Sequence, residues 1–512
     1  MLQVHVVHYI MREMRDFINE VLKEATLIEN PKETFLENAS KGYAVPNKLG
    51  VLLFHTRVRA RSPQKTIENV NLLPEEEKKK IIEELEKVRE FLRGKKLIVV
   101  DRNIGNTDRF RMRARAIISA KYPHLALMFA RNYFPPSGDT DIPEIVSLCI
   151  PEWPYVKVIV DPEELINIIL GVDYYGELKM SFLRLAMNYA RDKMGMLGLH
   201  AGSKLYIVRN NNGEFVKRGV LIFGLSGTGK STVTMANNGL SPGERVVVRQ
   251  DDIVILTPDG MALGTERNLY PKTDSINSIP PLLQAVKHPL TILENVAVKD
   301  DGTVDFDDVD FCPNGRAIII RRAIPLTDER VDLERVDILL FLTRRKEMPI
   351  AAKTCSPGQA VAYFMLGESI MTSAGTMKKE EMGRPIRVPG FDPFMLQPKS
   401  RTANLLYKFL KRHTHVQTCI LNTGYVGDVK VTPEDTMKTV LSIVKGTIKW
   451  KYDPNLKMEV PAEIPGVDLE KYDPYRIFGE EKYKEIMERL REDRIRYLRE
   501  NFPDLEYLFD HV

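Results

Sequence analysis

Apolar side chains recur three and four positions apart in several stretches of the chain. Residues 1–30 and residues 74–94 both show this spacing, which predicts an amphipathic helix in each. Residues 178–197 are rich in Met, Leu and Ala and predict a buried helix, and residues 475–510 are charged and predict helices at the end of the chain. Helices of both kinds need a partner surface on which to bury their apolar side.

Short apolar runs bounded by turn residues predict strands. They cluster after residue 204, with one run earlier, and occupy residues 96–101, 204–208, 218–223, 245–249, 253–256, 336–342 and 416–424. Residues 344–400 show little periodicity and several Gly and Pro residues, so this stretch is either a functional lid or a segment that contains short helices.

One strand has an unusual alternation of arginine with apolar residues. Arg109, Arg111, Arg113 and Arg115 follow each other at every second position, so a strand here carries them on one face. Two interpretations remain open. The arginines form the solvated face of an edge strand, or they face an anion.

The composition excludes several classes of protein. The chain has 512 residues, enough for two to four domains, and a net charge of 74 − 70 = +4, which argues against a nucleic-acid partner and leaves a small anionic ligand open. The four cysteines form no CxxC pair, so neither a disulfide scaffold nor a zinc ribbon is predicted. No long uncharged apolar run and no secretory signal pattern is present, so we expect a cytoplasmic protein without membrane contact.

A phosphate-binding loop follows the apolar run 218–223. Its sequence, GLSGTGKS, fits G-x-x-x-x-G-K-[ST], with a strand before it and a possible helix after it. Glycines allow backbone N–H groups to turn toward phosphate oxygens, the lysine reaches the outer phosphates, and the hydroxyl binds a divalent metal. The predicted nucleotide-binding residues are Gly224, Leu225, Ser226, Gly227, Thr228, Gly229, Lys230, Ser231 and Thr232.

An acidic partner for the nucleotide metal is expected near this loop. Asp251 and Asp252 interrupt two apolar runs, and adjacent carboxylates on a strand point in opposite directions. One can therefore serve the nucleotide metal and the other a second metal, although a turn with two solvated aspartates is the alternative. The acidic run 300–308 is a competing metal site, but its Asp-Gly dipeptide favours a hairpin turn.

Several further motifs occur in an order that resembles one enzyme family. Besides the phosphate-binding loop, the segments are Arg59-Ala-Arg61-Ser-Pro, Tyr174-Tyr-Gly-Glu-Leu-Lys179, Gly198-Leu-His200, Tyr270-Pro-Lys272-Thr, Leu293-Glu-Asn-Val296, Asn314-Gly-Arg316 and Leu421-Asn-Thr-Gly424. Together with that loop they resemble the ATP-type phosphoenolpyruvate carboxykinases, over about residues 40–470.

The resemblance implies a two-domain α/β fold whose active site lies in the cleft between the domains. We expect a substrate domain at residues 1–203, a P-loop domain at 204–450 with a lid at about 344–385, and a helical tail at 451–512. The implied reaction converts oxaloacetate and ATP into phosphoenolpyruvate, carbon dioxide and ADP. The implied cofactors are Mg²⁺ on the nucleotide and a second ion, usually Mn²⁺, at the substrate.

The resemblance also implies a role for each matching residue. By resemblance, Arg61 and Tyr174 bind the substrate carboxylate, and Arg316 bridges the substrate and the phosphoryl group. Lys179 neutralises charge at the enolate, and His200 and Asp252 bind the second metal. Lys230, Ser231 and Asp251 serve the nucleotide chemistry. An imidazole and a carboxylate suit Mn²⁺, and arginines suit carboxylate and phosphoryl oxygens. Without the resemblance, Tyr174 and His200 would be interpreted as packed core residues. For Arg61, a surface arginine is the alternative interpretation.

The chain departs from the family pattern at the second metal. The family has a metal-binding lysine where this chain has Met180, and a thioether is a poor ligand for Mn²⁺. Two other hypotheses therefore stay open at this point: a kinase on the same scaffold that phosphorylates another small acid or hydroxyl compound, and a non-catalytic nucleotide-binding protein.

Overall fold

The computed structural model of the protein describes residues 14–63, 66–138, 142–237, 239–372 and 382–512. The helices within these ranges are α1 (14–24), α2 (Glu33–Ser40), α3 (Glu75–Leu92), α4 (Pro123–Asn132), α5 (Tyr175–Met194), α6 (Lys230–Met235), α7 (Pro280–Ala285), α8 (Pro357–Leu366), α9 (Lys399–Arg412), α10 (Pro433–Lys445), α11 (Pro474–Phe478) and α12 (Glu480–Asn501). None of the helices described is both long enough and apolar enough to cross a membrane.

The strands of the first half of the chain are β1 (Thr26–Glu29), β2 (Leu52–Phe54), β3 (Ile67–Asn69), β4 (Lys96–Thr107), β5 (Phe110–Ser119), β6 (Glu144–Ile150), β7 (Lys157–Asp161), β8 (Ile166–Leu170), β9 (Leu197–His200), β10 (Gly202–Arg209), β11 (Phe215–Phe223), β12 (Arg245–Gln250) and β13 (Ile253–Leu256). Those of the second half are β14 (Ala262–Gly264), β15 (Ile292–Glu294), β16 (Ala297–Val298), β17 (Val304–Asp305), β18 (Arg316–Ile318), β19 (Ile338–Thr343), β20 (Ala351–Lys353), β21 (Glu368–Ile370), β22 (Pro385–Arg387), β23 (Gln417–Asn422), β24 (Tyr425–Val426), β25 (Val429–Lys430), β26 (Lys449–Asp453) and β27 (Met458–Glu463). The predicted α/β class is confirmed.

The chain forms two compact units, each made of separate chain segments. The first contains the residues up to Tyr189 together with Thr265–Asn277 and Leu283–Ala323, and the second contains Ala190–Gly264, Ser278–Leu282 and Ile324–Val512. Two segments that the sequence analysis assigned to the P-loop domain therefore belong to the first unit. They carry Lys272 and Arg316, and so place these residues beside the N-terminal segment in one folding unit.

The first unit is built on a seven-stranded mixed sheet with the order β1-β4-β5-β6-β8-β7-β3. Apolar side chains of α1 and α3 pack with those of the sheet in one buried cluster, as Ile81 and Val88 do with Val99 and Leu148. Three glutamates in the first turn of α3 favour its N-terminus, where the helix dipole is positive. A second, three-stranded sheet, β18-β15-β2, joins distant parts of this unit and carries Arg316 and Glu294.

Two predictions for the first unit need correction. The helix predicted over residues 1–30 ends at residue 24, because Thr26–Glu29 hydrogen-bond in parallel to β4; residues 1–13 lie outside the described ranges. The arginine-rich strand is not an edge strand, because β5 pairs with β4 on one side and β6 on the other. Its arginines have carboxylate partners within the same sheet: Arg115 lies 2.9 Å from Asp101, and Arg113 lies 3.6 Å from Glu144.

The second unit contains an eight-stranded sheet with the order β12-β10-β11-β19-β23-β20-β27-β26. Its central strands β11, β19 and β23 are parallel, and alternate residues face two separate apolar clusters. Phe223 and Phe341 lie in one cluster, whereas Ile222 and Leu340 lie in the other. Burial on both faces explains why these strands are continuous apolar runs in the sequence.

The span predicted as a lid, residues 344–385, contains short regular elements, as the alternative interpretation of this stretch allowed. It includes β20, α8 and β21, and α8 is buried from Gly358 to Leu366. Residues 373–381 of the span lie outside the described residues. These elements belong to the packed core of the second unit, so only the remainder of the span stays a predicted lid.

A buried carboxylate ties three elements of the second unit together. Glu368 on β21 accepts hydrogen bonds from Arg387 on β22 at 2.9 Å and from Arg494 on α12 at 2.6 Å. Burial by itself would raise the pKa of Glu368, but the charges of Arg494, Arg345 and Arg387 outweigh it and hold the pKa at about 2. The C-terminal helix is therefore anchored to the core by charge as well as by apolar packing.

We predict that Glu368→Gln lowers the free energy of unfolding of the second unit by about 3–5 kcal/mol, because it leaves buried guanidinium groups without their carboxylate. The chain has two tryptophans, so denaturation followed by Trp450 fluorescence in a Trp153→Phe background reports on this unit. The pKa of Glu368 is about 2, below its ordinary value, so the wild-type advantage is present above about pH 4.3 and disappears as the pH falls toward 2.

Glu334→Gln is the matched control for this prediction. Glu334 pairs with Arg330 at 2.8 Å, but the two side chains are 69% and 71% exposed. An exposed pair of this kind contributes about 1 kcal/mol or less. Equal unfolding free energies for the two variants would contradict the buried anchor.

Candidate active site

The phosphate-binding loop lies where the sequence predicted it, between β11 and α6. β11 ends at Phe223 in the middle of the eight-stranded sheet, and α6 begins at Lys230. Gly227 and Gly229 have φ angles of 77° and 89°, a region that side chains with a Cβ rarely adopt. The loop can therefore turn its N–H groups inward, and Lys230, Ser231 and Thr232 form the first turn of the helix.

Gly224 is required for a different reason, which is close approach. A Cβ at this position would lie 2.4 Å from Thr228 Oγ1 and 3.2 Å from Leu342 Cβ. Thr228 Oγ1 donates to the Leu225 carbonyl at 2.8 Å, so the threonine closes the loop on itself. Outside hydroxyls fix the loop further, since Thr372 donates to the Ser226 carbonyl at 2.9 Å.

Lys230, His200 and Asp252 converge in the second unit. β9 pairs with β13 so that His200 lies opposite Ile253, and this register places Asp252 beside the imidazole. His200 Nε2 lies 3.1 Å from Asp252 Oδ1 and 2.8 Å from Lys230 Nζ. Lys230 Nζ is also 3.6 Å from Asp252 Oδ1. Asp251, the neighbouring predicted residue, lies in the same bend between β12 and β13 and is 9% exposed.

The hydrogen bonds assign the donor roles at His200. Its Nδ1 lies 2.7 Å from the Phe391 carbonyl oxygen, which only accepts, so Nδ1 carries a proton. In the neutral ring Nε2 then has a free lone pair and accepts from the Lys230 ammonium. A neutral imidazole with its lone pair beside a carboxylate is the arrangement found at metal sites, where a carbonyl commonly orients the ligating histidine.

The donors at this point fit a metal ion of the kind that the sequence analysis expected. They are one imidazole nitrogen and one carboxylate oxygen, which suit Mn²⁺. Within the described ranges, no group of three or more His, Cys, Asp or Glu side chains is arranged to hold a metal, so a bound ion would take further donors from elsewhere, such as water or substrate. The acidic run 300–308 forms the predicted hairpin instead: β16 pairs with β17 around Gly302.

In the first unit, a hydrogen-bonded chain links Tyr174 to Arg316. Asn314 Nδ2 donates to the Tyr174 hydroxyl at 2.8 Å, and Asn314 Oδ1 accepts from Arg316 Nη2 at 3.0 Å. The same amide nitrogen lies 3.0 Å from the Arg59 carbonyl, next to the loop that carries Arg61. Tyr174 is 1% exposed, which agrees with its interpretation as a packed core residue. Its hydroxyl nevertheless belongs to the hydrogen-bonded chain that leads to Arg316.

Carboxylates on both sides of Tyr174 hold the Arg61 loop. Asp173 accepts from the backbone N–H groups of Arg57 and Val58 at 2.9 and 3.0 Å. Glu177 accepts from the Ser62 N–H at 2.7 Å. Between them Gly176 allows the Tyr174 ring to fold back, since a Cβ at Gly176 would lie 2.4 Å from two ring carbons. The Tyr174 segment thus positions the loop with Arg61.

Lys179 is held by an acidic residue that the sequence analysis did not identify. Its ammonium lies 3.2 Å from Glu266 Oε1, and the two side chains are 1% and 0% exposed. A carboxylate at this distance is the usual partner of a buried lysine, and the pair lies where the resemblance places a cation beside the substrate. Met180, the next residue, is 2% exposed and packs as an apolar side chain.

Lys272 is a further cation that the sequence analysis quoted without a role. It is the register partner of Arg316 in an isolated bridge, and its Nζ donates to the Pro313 carbonyl at 3.2 Å. Burial, assisted by the charges of Arg316 and Arg61, lowers the pKa of Lys272 to about 8. The segment Tyr270-Pro-Lys272-Thr was already part of the resemblance, so the sequence did contain a signal that could have pointed to Lys272 as a site residue.

The two units thus carry two groups of predicted residues. One holds a phosphate-binding loop with a lysine, a histidine and an aspartate, and the other holds tyrosine, lysine and arginine side chains suited to a small anion. This combination is typical of an enzyme that transfers a phosphoryl group between a nucleotide and a small acid.

Comparison with known proteins agrees with this class and makes it specific. A family model described as "Phosphoenolpyruvate carboxykinase" matches residues 55–470. A protein of Aeropyrum pernix named "Phosphoenolpyruvate carboxykinase (ATP)" is 45% identical over 494 residues, 96% of this chain and 98% of that protein. A protein of Salinibacter ruber named "Phosphoenolpyruvate carboxykinase (ATP) 1" is 28% identical over 423 residues, 77% of this chain and 75% of its own length. The chain belongs to the phosphoenolpyruvate carboxykinase family, and the resemblance inferred from the sequence is confirmed.

We predict that Gly224→Ala weakens nucleotide binding at least about tenfold, because the added Cβ displaces Thr228 and opens the loop. Titration with a fluorescent ADP analogue measures the dissociation constant. Gly42→Ala is the control, since a Cβ at Gly42 meets nothing within 4 Å. Equal affinities for the two variants would show that the loop does not bind the nucleotide.

Proposed function

We propose that the protein converts oxaloacetate and ATP into phosphoenolpyruvate, carbon dioxide and ADP, the direction used in gluconeogenesis. The observation that carries the proposal is the convergence of Lys230, His200 and Asp252 at a phosphate-binding loop, in a chain that belongs to this family. The reaction joins decarboxylation to phosphoryl transfer, so it needs cations at a small dicarboxylate and a cradle for the nucleotide phosphates.

The first unit binds the substrate in this proposal. Arg61 and Tyr174 bind a carboxylate of oxaloacetate, and Arg316 bridges the substrate and the transferring phosphoryl group. Loss of carbon dioxide leaves negative charge on the enolate oxygen, which the ammonium of Lys179 neutralises. The Lys179–Glu266 pair at 3.2 Å supports this assignment, because Glu266 favours the charged amine despite its burial.

The second unit binds the nucleotide in this proposal. The backbone of residues 224–229 surrounds the phosphates, Lys230 contacts the outer phosphates, and Ser231 with Asp251 serves Mg²⁺ on the nucleotide. Lys230 leaves the His200–Asp252 pair when it turns toward the phosphates, so the same ammonium has two alternative partners. The loop thereby orients the terminal phosphoryl group and excludes water from it.

His200 and Asp252 hold the second ion, for which Mn²⁺ is the best chemical match. The two metals supply Lewis-acid stabilisation of phosphoryl and enolate oxygens when they are bound. Met180 contributes no ligand, so the protein side chains of the second site are one imidazole and one carboxylate. Imidazole and carboxylate groups are common protein ligands for such an ion, whereas an amine ligand must first lose a proton.

Product analysis tests the proposed function. Purified protein with ATP, Mg²⁺, Mn²⁺ and oxaloacetate is expected to form phosphoenolpyruvate, detected by phosphorus NMR. Lys230→Met should lower kcat by about 100- to 1000-fold, because it removes a cation from the transferring phosphoryl group. Lys217→Met, which changes an exposed lysine on β11, the strand before the loop, should leave kcat unchanged. Wild-type protein that binds ATP but forms no phosphoenolpyruvate would reject the carboxykinase and favour a kinase with another acceptor.

Lys272 gives the reaction a pH dependence with a defined sign. The pKa of Lys272 is about 8, so the amine is charged and attracts oxaloacetate below pH 8 and is neutral above it. We predict that kcat/KM for oxaloacetate falls as the pH rises through about 8, since kcat/KM reports groups of the free enzyme. Lys272→Met should lose this step and lower kcat/KM at pH 7 by about 10- to 100-fold. An unchanged alkaline step in Lys272→Met would assign it to another group.

A further inference from the structure

The cationic side chains Lys179 and Arg316 share one buried aromatic ring. Lys179 Nζ lies 5.2 Å from the centroid of the Tyr270 ring, and the guanidinium carbon of Arg316 lies 5.6 Å from it. Tyr270 is 4% exposed. Two cations near each other repel, and the negative face of an aromatic ring offsets part of that repulsion, more strongly where water is excluded. The Tyr270 ring is therefore a contact that both cations share, as well as a packed side chain.

The Tyr270 ring is itself fixed by two neighbours. Its hydroxyl donates to Glu294 Oε2 at 2.5 Å, and the other oxygen of Glu294 accepts from the Tyr175 N–H at 2.8 Å. The Tyr175 ring meets the Tyr270 ring edge-on, with centroids 5.3 Å apart and planes at 90°. Glu294 is the register partner of Arg316 in the sheet, so the anchor of the ring and one of its cations move together.

The carboxyl of Glu294 is placed to hold the ring and not to take part in the chemistry. It is 0% exposed, and both of its oxygens accept hydrogen bonds from Tyr270 and Tyr175. Burial raises the pKa of Glu294 to about 7 against the lowering effect of these two bonds and of the Arg316 charge. Either ionisation state can accept from the tyrosine hydroxyl, so the anchor persists across neutral pH.

We propose that Tyr270, anchored by Glu294, is a positioning residue that sets the Lys179 and Arg316 side chains at their working separation. The inference rests on the proposed function, because that function gives the two cations their tasks at the enolate and at the phosphoryl group. On the other side Lys179 is drawn to Glu266, which in turn accepts from Asn132 at 2.7 Å. Without the ring, Lys179 keeps its Glu266 partner but loses the contact that it shares with Arg316.

Replacement of Tyr270 separates this role from general packing. Tyr270→Leu removes the ring and should lower kcat for phosphoenolpyruvate formation by about 100-fold, the typical cost of misplacing a catalytic group by about 1 Å. The KM for ATP should stay within about twofold, since the phosphate-binding loop is unaltered. Tyr270→Phe keeps the ring and should restore kcat to within about fivefold of wild type. If the effect of Tyr270→Leu came from the lost hydroxyl, Tyr270→Phe would not restore kcat.

Two further variants test the anchor and keep the inference falsifiable if Tyr270→Leu does not fold. Glu294→Leu removes the acceptor for the Tyr270 hydroxyl and should lower kcat about tenfold, whereas Glu294→Gln keeps an acceptor and should stay within about threefold. Tyr483→Leu is the control for loss of a buried tyrosine, since Tyr483 is 1% exposed and belongs to a cluster in the second unit. It should leave kcat within about twofold of wild type.

The outcomes distinguish this inference from the proposed function. If wild type forms phosphoenolpyruvate and a folded Tyr270→Leu or Glu294→Leu variant has wild-type kcat, the positioning role is wrong and the function stands. If Tyr270→Phe loses as much kcat as Tyr270→Leu, the hydroxyl and not the ring carries the effect, and the inference is again wrong. If wild type forms no phosphoenolpyruvate at all, the proposed function fails and this inference fails with it.

Discussion

Positive charges brought close together away from water must be compensated, and this constraint governs the part of the first unit around Arg316. The lowered pKa of Lys272 is one consequence of this constraint, because burial and the charges of Arg316 and Arg61 all disfavour the protonated amine. Neighbouring groups compensate part of the charge: Glu266 pairs with Lys179, and the Asn314 amide oxygen accepts from Arg316. A small dianion attracted to these cations would compensate the remaining charge, as the proposed binding of oxaloacetate requires.

In the second unit the requirement is reversed, because hydrogen-bond acceptors and not cations lie close together. His200 presents a lone pair beside the carboxylate of Asp252, because the Phe391 carbonyl fixes the proton on the other ring nitrogen. Two such acceptors 3.1 Å apart need a cation, and the Lys230 ammonium meets this need at 2.8 Å. The lysine of the phosphate-binding loop therefore also compensates the histidine–aspartate pair. In the proposed function, the same side chain contacts both this pair and the nucleotide phosphates.

Features that depend on residues nearby in the chain could be predicted from the sequence, whereas features that depend on distant residues could not. The helix α3 and the strands around the phosphate-binding loop follow from apolar spacing, and the loop itself follows from glycine and lysine positions in a short stretch. The arginines of β5 could not be interpreted in this way, because whether a strand is interior depends on neighbours far along the chain. The same holds for Glu266 and Glu294, whose roles follow from contacts with Lys179 and Tyr270 that sequence spacing does not reveal.

The interleaved segments of the two units have a consequence for synthesis on the ribosome. β2 pairs in parallel with β15, whose residues are translated more than 200 positions later, and β18 follows β15. The seven-stranded sheet can form as soon as β8 has emerged, but the small sheet that carries Arg316 cannot. The first segment of the second unit, Ala190–Gly264, is translated in the interval and includes the phosphate-binding loop, whereas Ile324–Val512 follows later. In the nascent chain the seven-stranded sheet can therefore form early. The small sheet that carries Arg316 forms late, when the larger sheet is already complete.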